Sequence, residues 1–137
     1  MKSDKTREKP FDMKLFFAAL ADDTRLRLLN LMGETEVCVC YLVEIIGTNQ
    51  PKISRHLAYL RRAGIVAARR DGIWSHYRII IPEDEYAANA FRGIQSWLRN
   101  DHKMQRDIKK MMKICCAPSP QQPVGIQGAP KPQLISV

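Results

Sequence analysis

Residues 50–62 place apolar side chains three or four positions apart and leave the opposite side of the segment polar. This spacing predicts a helix with one buried face. Pro51 suits the first helical position, and Gly64 suits the residue that closes the helix. The buried positions are Ile53, Leu57 and Leu60. The polar side carries Lys52, Arg55, His56 and Arg62, with Ser54 near its edge. We expect this basic helix to lie in the major groove of DNA.

A shorter apolar run at residues 41–46 precedes this helix, and Gly-Thr-Asn at 47–49 joins the two. Two short helices across a glycine-containing turn, the second with a basic face, are typical of a helix-turn-helix. Two further helices are predicted upstream. One runs from about Phe11 to Ala21, and the other from a cap at Asp22 or Asp23 to Gly33.

Two runs of β-forming residues, 65–70 and 73–80, flank Asp71-Gly72. Asp-Gly between such runs predicts a hairpin with a two-residue type I′ turn. A hairpin directly after a recognition helix is the wing of a winged helix, and Arg69 and Arg70 at its predicted tip are placed to touch phosphate. The predicted fold is therefore mainly α with a β-hairpin wing, a winged helix-turn-helix.

Two more amphipathic segments follow the predicted wing. One is a helix from about Glu83 to Arg99, and the other is a basic stretch that carries Met104, Ile108, Met111 and Met112. Their apolar faces exceed what so small a domain needs, which predicts a homodimer formed through the terminal helices. We expect one domain at 11–116, a flexible N-terminus at 1–10 and a disordered tail at 117–137. The tail holds five of the eight prolines.

The positive charge of the chain is concentrated on the predicted DNA-reading unit. The net charge is +8, and between residues 50 and 80 seven basic side chains stand against Asp71 alone. This clustering indicates double-stranded DNA as the partner. No apolar run is long enough to span a bilayer, and Met1 to Pro10 lacks the apolar stretch of a secretory signal. We therefore expect no membrane association and a cytoplasmic location, where thiols stay reduced.

Four cysteines form two pairs, Cys38-Val39-Cys40 and Cys115-Cys116. The first pair stands at the start of the helix-turn-helix, where a helix N-terminus favours the thiolate form that binds soft metals. Residues two apart diverge on a helix and on a strand, so one shared ion requires an irregular backbone. We expect an ion bound there to distort the start of the supporting helix and to weaken DNA binding. The alternative is a pair of small buried hydrophobic residues.

Cys115 and Cys116 end the last predicted helix, beside the tail. Adjacent cysteines rarely form a good disulfide with each other, because the geometry is strained. They can supply a third thiolate to the Cys38/Cys40 site, form a separate site, or be two incidental exposed thiols. His56 and His76 are better explained by DNA contact or packing than by metal binding.

Four segments together resemble the ArsR (ArsR/SmtB) winged-helix repressors, in particular their arsenic-responsive branch. These segments are residues 17–26, 36–42, 50–57 and 72–78. The resemblance implies a homodimeric repressor of a metalloid-resistance operon, released from its operator when trivalent arsenic or antimony binds cysteine thiolates. By this resemblance, Cys38 and Cys40 correspond to two of the cysteines that bind the inducer in the family. The same resemblance matches Gln50, Lys52, Ser54 and Arg55 to recognition-helix contacts.

The chain departs from that family pattern at two positions. Val43 stands where the fuller motif has a third cysteine, and Tyr41 stands where an acidic residue is common. Trivalent arsenic prefers three thiolates. Either Cys115 or Cys116 completes the site, therefore, or two thiols suffice for an organoarsenical. The family's zinc site on the C-terminal helices has no counterpart, and no constitutive cofactor is predicted.

Two other functions are compatible with the same cysteines. A thiol redox switch would use peroxide rather than arsenite to release DNA. A thiol enzyme would need a phosphate-cradling loop or a nucleophile–base pair beside a cysteine, and the sequence shows neither. The sequence therefore predicts a transcriptional repressor and not an enzyme.

Overall fold

A computed structural model describes residues 10–135 as six α-helices and a small antiparallel sheet. Asp12, Asp22 and Asn49 each cap a helix by accepting a hydrogen bond from the backbone N–H three residues ahead. The helices are α1 (Met13–Leu20), α2 (Asp23–Met32), α3 (Val39–Ile46), α4 (Gln50–Arg62), α5 (Glu85–Arg99) and α6 (His102–Cys115). The strands are β1 (Thr35–Cys38), β2 (Val66–Asp71), β3 (Trp74–Ile79) and β4 (Gln133–Leu134). The predicted winged helix-turn-helix is confirmed.

The sheet has the strand order β2-β3-β1-β4, so the second strand of the wing, β3, pairs with β1. Asp71 pairs with Trp74, which makes Gly72-Ile73 the two-residue loop and not Asp71-Gly72. Gly72 has a φ of 60°, and Ile73 does not have a positive φ. The predicted type I′ turn is therefore wrong, because that turn needs positive φ at both loop residues. Glycine at the first loop position is the pattern of type II′.

The helices pack around a core to which α1 to α4 all contribute. Phe16, Leu28, Leu42, Ile53 and Leu57 are each exposed by no more than 1%. The last helix, α6, packs on α2 through a bidentate ion pair, in which Arg27 donates to both carboxylate oxygens of Asp107 at 2.7 and 2.9 Å. Because Asp107 is only 6% exposed, this pair fixes α6 against α2.

Residues 117–135 fold back over the domain, which corrects the prediction of a disordered tail. Two 3-10 helices, Ser119–Gln121 and Val124–Ile126, lead to β4, which pairs with β1. Ile126 is fully buried, and the N–H of Ile135 donates to Glu34 O at 3.0 Å. The composition of residues 117–135 does not indicate this packing, because it involves one buried apolar side chain, Ile126, and one short strand pairing. The predicted flexible N-terminus, residues 1–10, lies outside the described residues apart from Pro10. Residues 136–137 also lie outside them.

Helix α5 has a buried apolar face and, beside it, large apolar side chains that are exposed. Ala87, Ala88, Phe91 and Leu98 are buried in the protein's own core. Tyr86 and Trp97 point outward and are 80% and 77% exposed. Met13 and Phe17 on α1 are also exposed, and Phe17 lines one groove with Trp97. Among residues 10–135, no helix is both long and apolar enough to cross a membrane.

Candidate metalloid site and DNA-reading surface

The Cys38–Cys40 pair lies where β1 changes into α3. Cys38 keeps extended geometry (φ −66°, ψ 141°) as the residue before the helix, whereas Cys40 lies in the first turn of the helix. This change of backbone conformation brings the two sulfurs to 2.9 Å from each other. Two sulfurs bound to one ion at about 2.3 Å each lie about 3.4 Å apart for the narrow angles of a pyramidal trivalent metalloid and about 3.8 Å apart for a tetrahedral ion. The irregular backbone that a shared ion requires is therefore already present, and no unwinding of α3 is needed to form the pair.

The two thiols differ in acidity because one donates to the other. Cys40 Sγ donates a hydrogen bond to Cys38 Sγ, and this bond lowers the pKa of Cys38 to about 7. Backbone N–H groups of Cys40 and Ser75 add to this effect, while burial opposes it. The same hydrogen bond and burial raise the pKa of Cys40. The pair therefore holds one thiolate and one thiol near neutral pH, a ready ligand set for a soft ion.

A thiolate titration tests this assignment. In the Cys115→Ser/Cys116→Ser double variant, we expect the ultraviolet absorbance of one thiolate to grow in with a midpoint near pH 7. An ordinary cysteine ionises near pH ~8.5, and the fully denatured variant serves as that reference. We expect the second thiolate to appear only at more alkaline pH, because its proton lies between the two sulfurs. A folded variant whose first midpoint matches the denatured one would contradict the assignment.

The strand that carries Cys38 is also joined to the wing. Cys38 pairs with His76 and Val37 pairs with Tyr77 in the β1–β3 register. His76 is buried at 4% exposure, so it belongs to this junction rather than to the DNA surface. The predicted packing role of His76 therefore fits its position.

The Cys115–Cys116 pair lies at the C-terminal end of α6, with its sulfurs 3.6 Å apart. Burial, and then the neighbouring thiol of Cys116, raise the pKa of Cys115. Within residues 10–135, no three His, Cys, Asp or Glu side chains are close enough to hold one ion together. The structure therefore shows two separate sulfur pairs, and it does not bring a third thiolate to Cys38 and Cys40.

The predicted recognition helix has the residue bounds expected from its pattern. Ile53, Leu57 and Leu60 are buried, whereas Gln50, Lys52 and Arg55 are exposed and Ser54 is half-buried. The solvent-facing part of α4, its free side, therefore carries Gln50, Lys52 and Arg55, with Ser54 at its edge. The helix can therefore present them to a groove without disturbing the core.

His56 points away from this free side. Arg25 Nη1 donates to His56 Nδ1 at 3.2 Å, and Asp22 Oδ2 lies 3.7 Å from the same nitrogen. Arg25 also donates to the carbonyl oxygens of Ala18 and Ala19 and stacks over the Tyr59 ring at 4.1 Å. Arg25 thus ties α1 to α4, and His56 helps to position α4. No local sequence pattern indicates this role of Arg25, because its contacts lie six to thirty-one residues away along the chain.

The wing arginines are held by the protein rather than placed freely at the tip. Arg69 donates three hydrogen bonds of 2.7 to 3.2 Å to the carboxylate of Glu36 on β1. This contact lowers the pKa of Glu36. Arg70 Nε donates to Gly72 O at 3.1 Å. The tip itself is Gly72-Ile73. Glu36 is therefore a further functional candidate, which links the cysteine strand to the wing and which the sequence alone did not reveal.

The comparisons with known proteins agree with this geometry. Residues 22–68 match the family described as bacterial regulatory protein, arsR family. The chain is 44% identical over 92 residues to the arsenic resistance transcriptional regulator ArsR1 of Pseudomonas putida KT2440, covering 64% of this chain and 72% of that protein. It is 37% identical over 102 residues to the arsenical resistance operon repressor of Escherichia coli K12, covering 74% and 86%. The chain belongs to the ArsR family.

Two solved structures of this kind share the fold. The homodimeric winged helix-turn-helix DNA-binding domain of a possible ArsR-family regulator from Mycobacterium bovis is 31% identical with a TM-score of 0.51, covering 65% of this chain and 83% of that one. The antimony-specific transcriptional repressor AntR is 26% identical with a TM-score of 0.50, covering 77% and 96%. The likeness supports the winged fold of this ArsR-family chain.

Proposed function

We propose that this chain is a homodimeric transcriptional repressor that leaves its operator DNA when trivalent arsenic or antimony binds Cys38 and Cys40. The observation that carries the proposal is the sulfur pair, 2.9 Å apart with the pKa of Cys38 at about 7, on the strand that adjoins the wing. Several relatives in the family carry arsenic or antimony in their names, which supports the same inducer class. The proposed inducer binding needs reduced cysteine thiols, and thiols stay reduced in the cytoplasm, so the proposal places the protein there.

In this proposal α4 enters the major groove of double-stranded DNA. The exposed side chains of Gln50, Lys52 and Arg55, with Ser54 beside them, meet bases and phosphates. Arg69 and Arg70 bring positive charge to the phosphate backbone from the wing. His56 holds α4 in place through Arg25 and does not contact bases. Binding should weaken steeply with salt, because each neutralised phosphate releases counterions.

The exposed apolar face of α1 and α5 supports the homodimer. Met13, Phe17 and Trp97 are 62%, 54% and 77% exposed. Large apolar side chains clustered on one surface mark an interaction site. A second copy of the chain suits this face because a two-fold pair would place two α4 helices for two half-sites. The solved Mycobacterium bovis relative is itself homodimeric.

We propose that the ion acts on DNA binding through β1 rather than by unwinding α3. Widening the sulfur pair from 2.9 Å to about 3.4 Å, the separation for a pyramidal trivalent ion, would displace Cys38 on β1, Cys40 on α3, or both. Strand β1 is hydrogen-bonded to wing strand β3, and Glu36 on β1 holds Arg69. Helix α3 packs against α4. A shift at the sulfurs therefore reaches both parts of the DNA-reading surface.

A titration of the protein against labelled operator DNA by fluorescence anisotropy tests this function. We expect tight, salt-sensitive binding and release on adding arsenite or antimonite at about one equivalent per subunit. Coupling free energies between two sites are typically about 1–3 kcal/mol, so operator affinity should fall roughly 5- to 150-fold. Operator binding that neither arsenite nor antimonite changes would show that these ions are not the inducer.

A thiol redox switch is the second candidate, favoured by the 2.9 Å contact between a thiolate and a thiol. Peroxide would take two electrons from the pair, forming one S–S bond and two water molecules. It would then release DNA, and dithiothreitol would restore binding. Release by peroxide without any response to arsenite would favour this function over the first.

A further inference from the structure

The C-terminal segment, residues 117–135, is anchored to both elements that carry the Cys38–Cys40 pair. Its second 3-10 helix, Val124–Ile126, packs against α3, the helix that contains Cys40. Its strand β4 pairs with β1, the strand that ends at Cys38. The segment therefore links this strand to this helix a second time, in addition to their covalent connection at residues 38–39.

The anchor on α3 is a buried apolar contact. Ile126 has 0% exposure and belongs to the main hydrophobic core. The neighbouring Gly125 lies so close to α3 that a Cβ atom there would stand 3.2 Å from Glu44 Oε1. Because undocking would return the isoleucine side chain to water, this contact holds the segment on α3.

The anchor on β1 is a short backbone ladder. Residues 35–36 pair with residues 133–134 in antiparallel register. The N–H of Ile135 donates to Glu34 O at 3.0 Å, which extends the pairing by one residue. Strand β1 is therefore hydrogen-bonded on both edges, to β3 and to β4. A movement of β1 requires β4 to follow or to detach.

The link between the two anchors is short and stiff. Residues 127–132 span it, and two of these six residues are prolines, Pro130 and Pro132, whose rings fix φ. At the start of the link, the N–H of Ala129 donates to Ile126 O at 3.0 Å and closes a turn. Because proline-rich links behave as semi-rigid spacers, a displacement of one anchor is transmitted to the other.

We propose that the C-terminal segment holds β1 and α3 at the spacing of the ion-free protein and thereby lowers the affinity of Cys38 and Cys40 for a trivalent metalloid. This inference rests on the proposed function and adds a regulatory element to the same site. Sulfurs that widen from 2.9 Å to about 3.4 Å displace β1 relative to α3. That displacement strains the two anchors or detaches one of them. Contacts that are stronger in the ion-free conformation weaken ion binding.

The Ile126→Ala variant of the full chain tests this role by loosening the anchor on α3. The arsenite dissociation constant is measured from the ultraviolet absorbance of the As–S bond, with no DNA present. Substitutions that touch neither ligand can change coupling enough to alter affinity about 2- to 30-fold. We expect arsenite to bind more tightly by a factor in that range, because less strain opposes the widened sulfurs. Val124→Ala is the matched control in the same 3-10 helix, at a side chain that is 85% exposed, and it should leave the constant unchanged.

Two variants at Ile135 test the anchor on β1 as a matched pair. Proline removes the N–H that donates to Glu34 O, whereas alanine keeps it. We expect Ile135→Pro to bind arsenite about 2- to 30-fold more tightly and Ile135→Ala to stay within about twofold of the wild type. Operator affinity without arsenite should stay within about twofold in every variant. Tighter arsenite binding together with weaker operator binding would point to partial unfolding and would overturn the inference.

Amide hydrogen exchange of residues 117–135 reports whether each substitution loosens the segment. Faster exchange with an unchanged or weaker arsenite affinity overturns the inference and leaves the repressor proposal standing. Exchange as slow as in the wild type, in both Ile126→Ala and Ile135→Pro, also overturns it, because these contacts would then not be the anchors. Wild-type protein that binds no arsenite overturns both the inference and the function on which it rests.

Discussion

Cys38→Ser protein should bind operator DNA like the wild type and should keep that binding when arsenite is added. Serine retains the size of the side chain at the β1–α3 junction, but its hydroxyl does not supply the soft thiolate that trivalent arsenic needs. The wild type should lose roughly 5- to 150-fold in operator affinity with arsenite, whereas the variant should lose less than about twofold. Fluorescence anisotropy with labelled operator, with and without arsenite, measures both numbers.

Cys40→Ser should give the same loss of response. Cys40→Ala, which removes the hydrogen bond donated to Cys38 Sγ, should also raise the pKa of Cys38 from about 7 toward that of an ordinary thiol. Cys115→Ser and Cys116→Ser are the matched changes in the second sulfur pair. A response that survives in Cys38→Ser but disappears in one of those two would move the inducer site to the end of α6.

Arg55→Ala should weaken operator binding about 5- to 150-fold, because this exposed side chain lies on the free side of α4. A specific arginine contact to a base is worth about 1–3 kcal/mol. Competition with mismatched operators should show relaxed specificity at one position of the site. The matched control is Arg106→Ala, an exposed arginine on α6.

The control variant should bind within about twofold of the wild type at the same salt concentration. Lys52→Ala should instead weaken binding to all sequences and reduce the slope of log affinity against log salt by about 1, as expected for a phosphate contact. If Arg55→Ala and Arg106→Ala weaken binding equally, the effect is one of general charge, and α4 is not the recognition helix.

Local signals account for the parts of the fold that the sequence predicted. The bounds of α4 follow from a cap at Asn49, Pro51 in the first turn and one apolar stripe, all within the segment itself. The hairpin was also predicted, but its turn was placed one residue early. Gly72 takes the positive φ in either arrangement, and only the pairing of Asp71 with Trp74 decides between them.

The remaining features depend on contacts that no local pattern encodes. The closeness of Cys38 and Cys40 depends on a strand that ends one residue before a helix begins. The Glu36–Arg69 contact joins residues 33 apart, and the burial of Ile126 joins the C-terminal segment to the domain. The cysteines are therefore recognisable in the sequence by type and spacing, but their geometry and their link to the wing are visible only in the structure.

In the proposed function, metalloid binding by the cysteines and DNA binding oppose each other within one subunit. Thermodynamic linkage makes that opposition reciprocal, so the most direct measurement is the arsenite dissociation constant of free protein and of protein saturated with operator. We expect operator to weaken arsenite binding by the same factor by which arsenite weakens operator binding. Equal arsenite affinity with and without operator would contradict the claim.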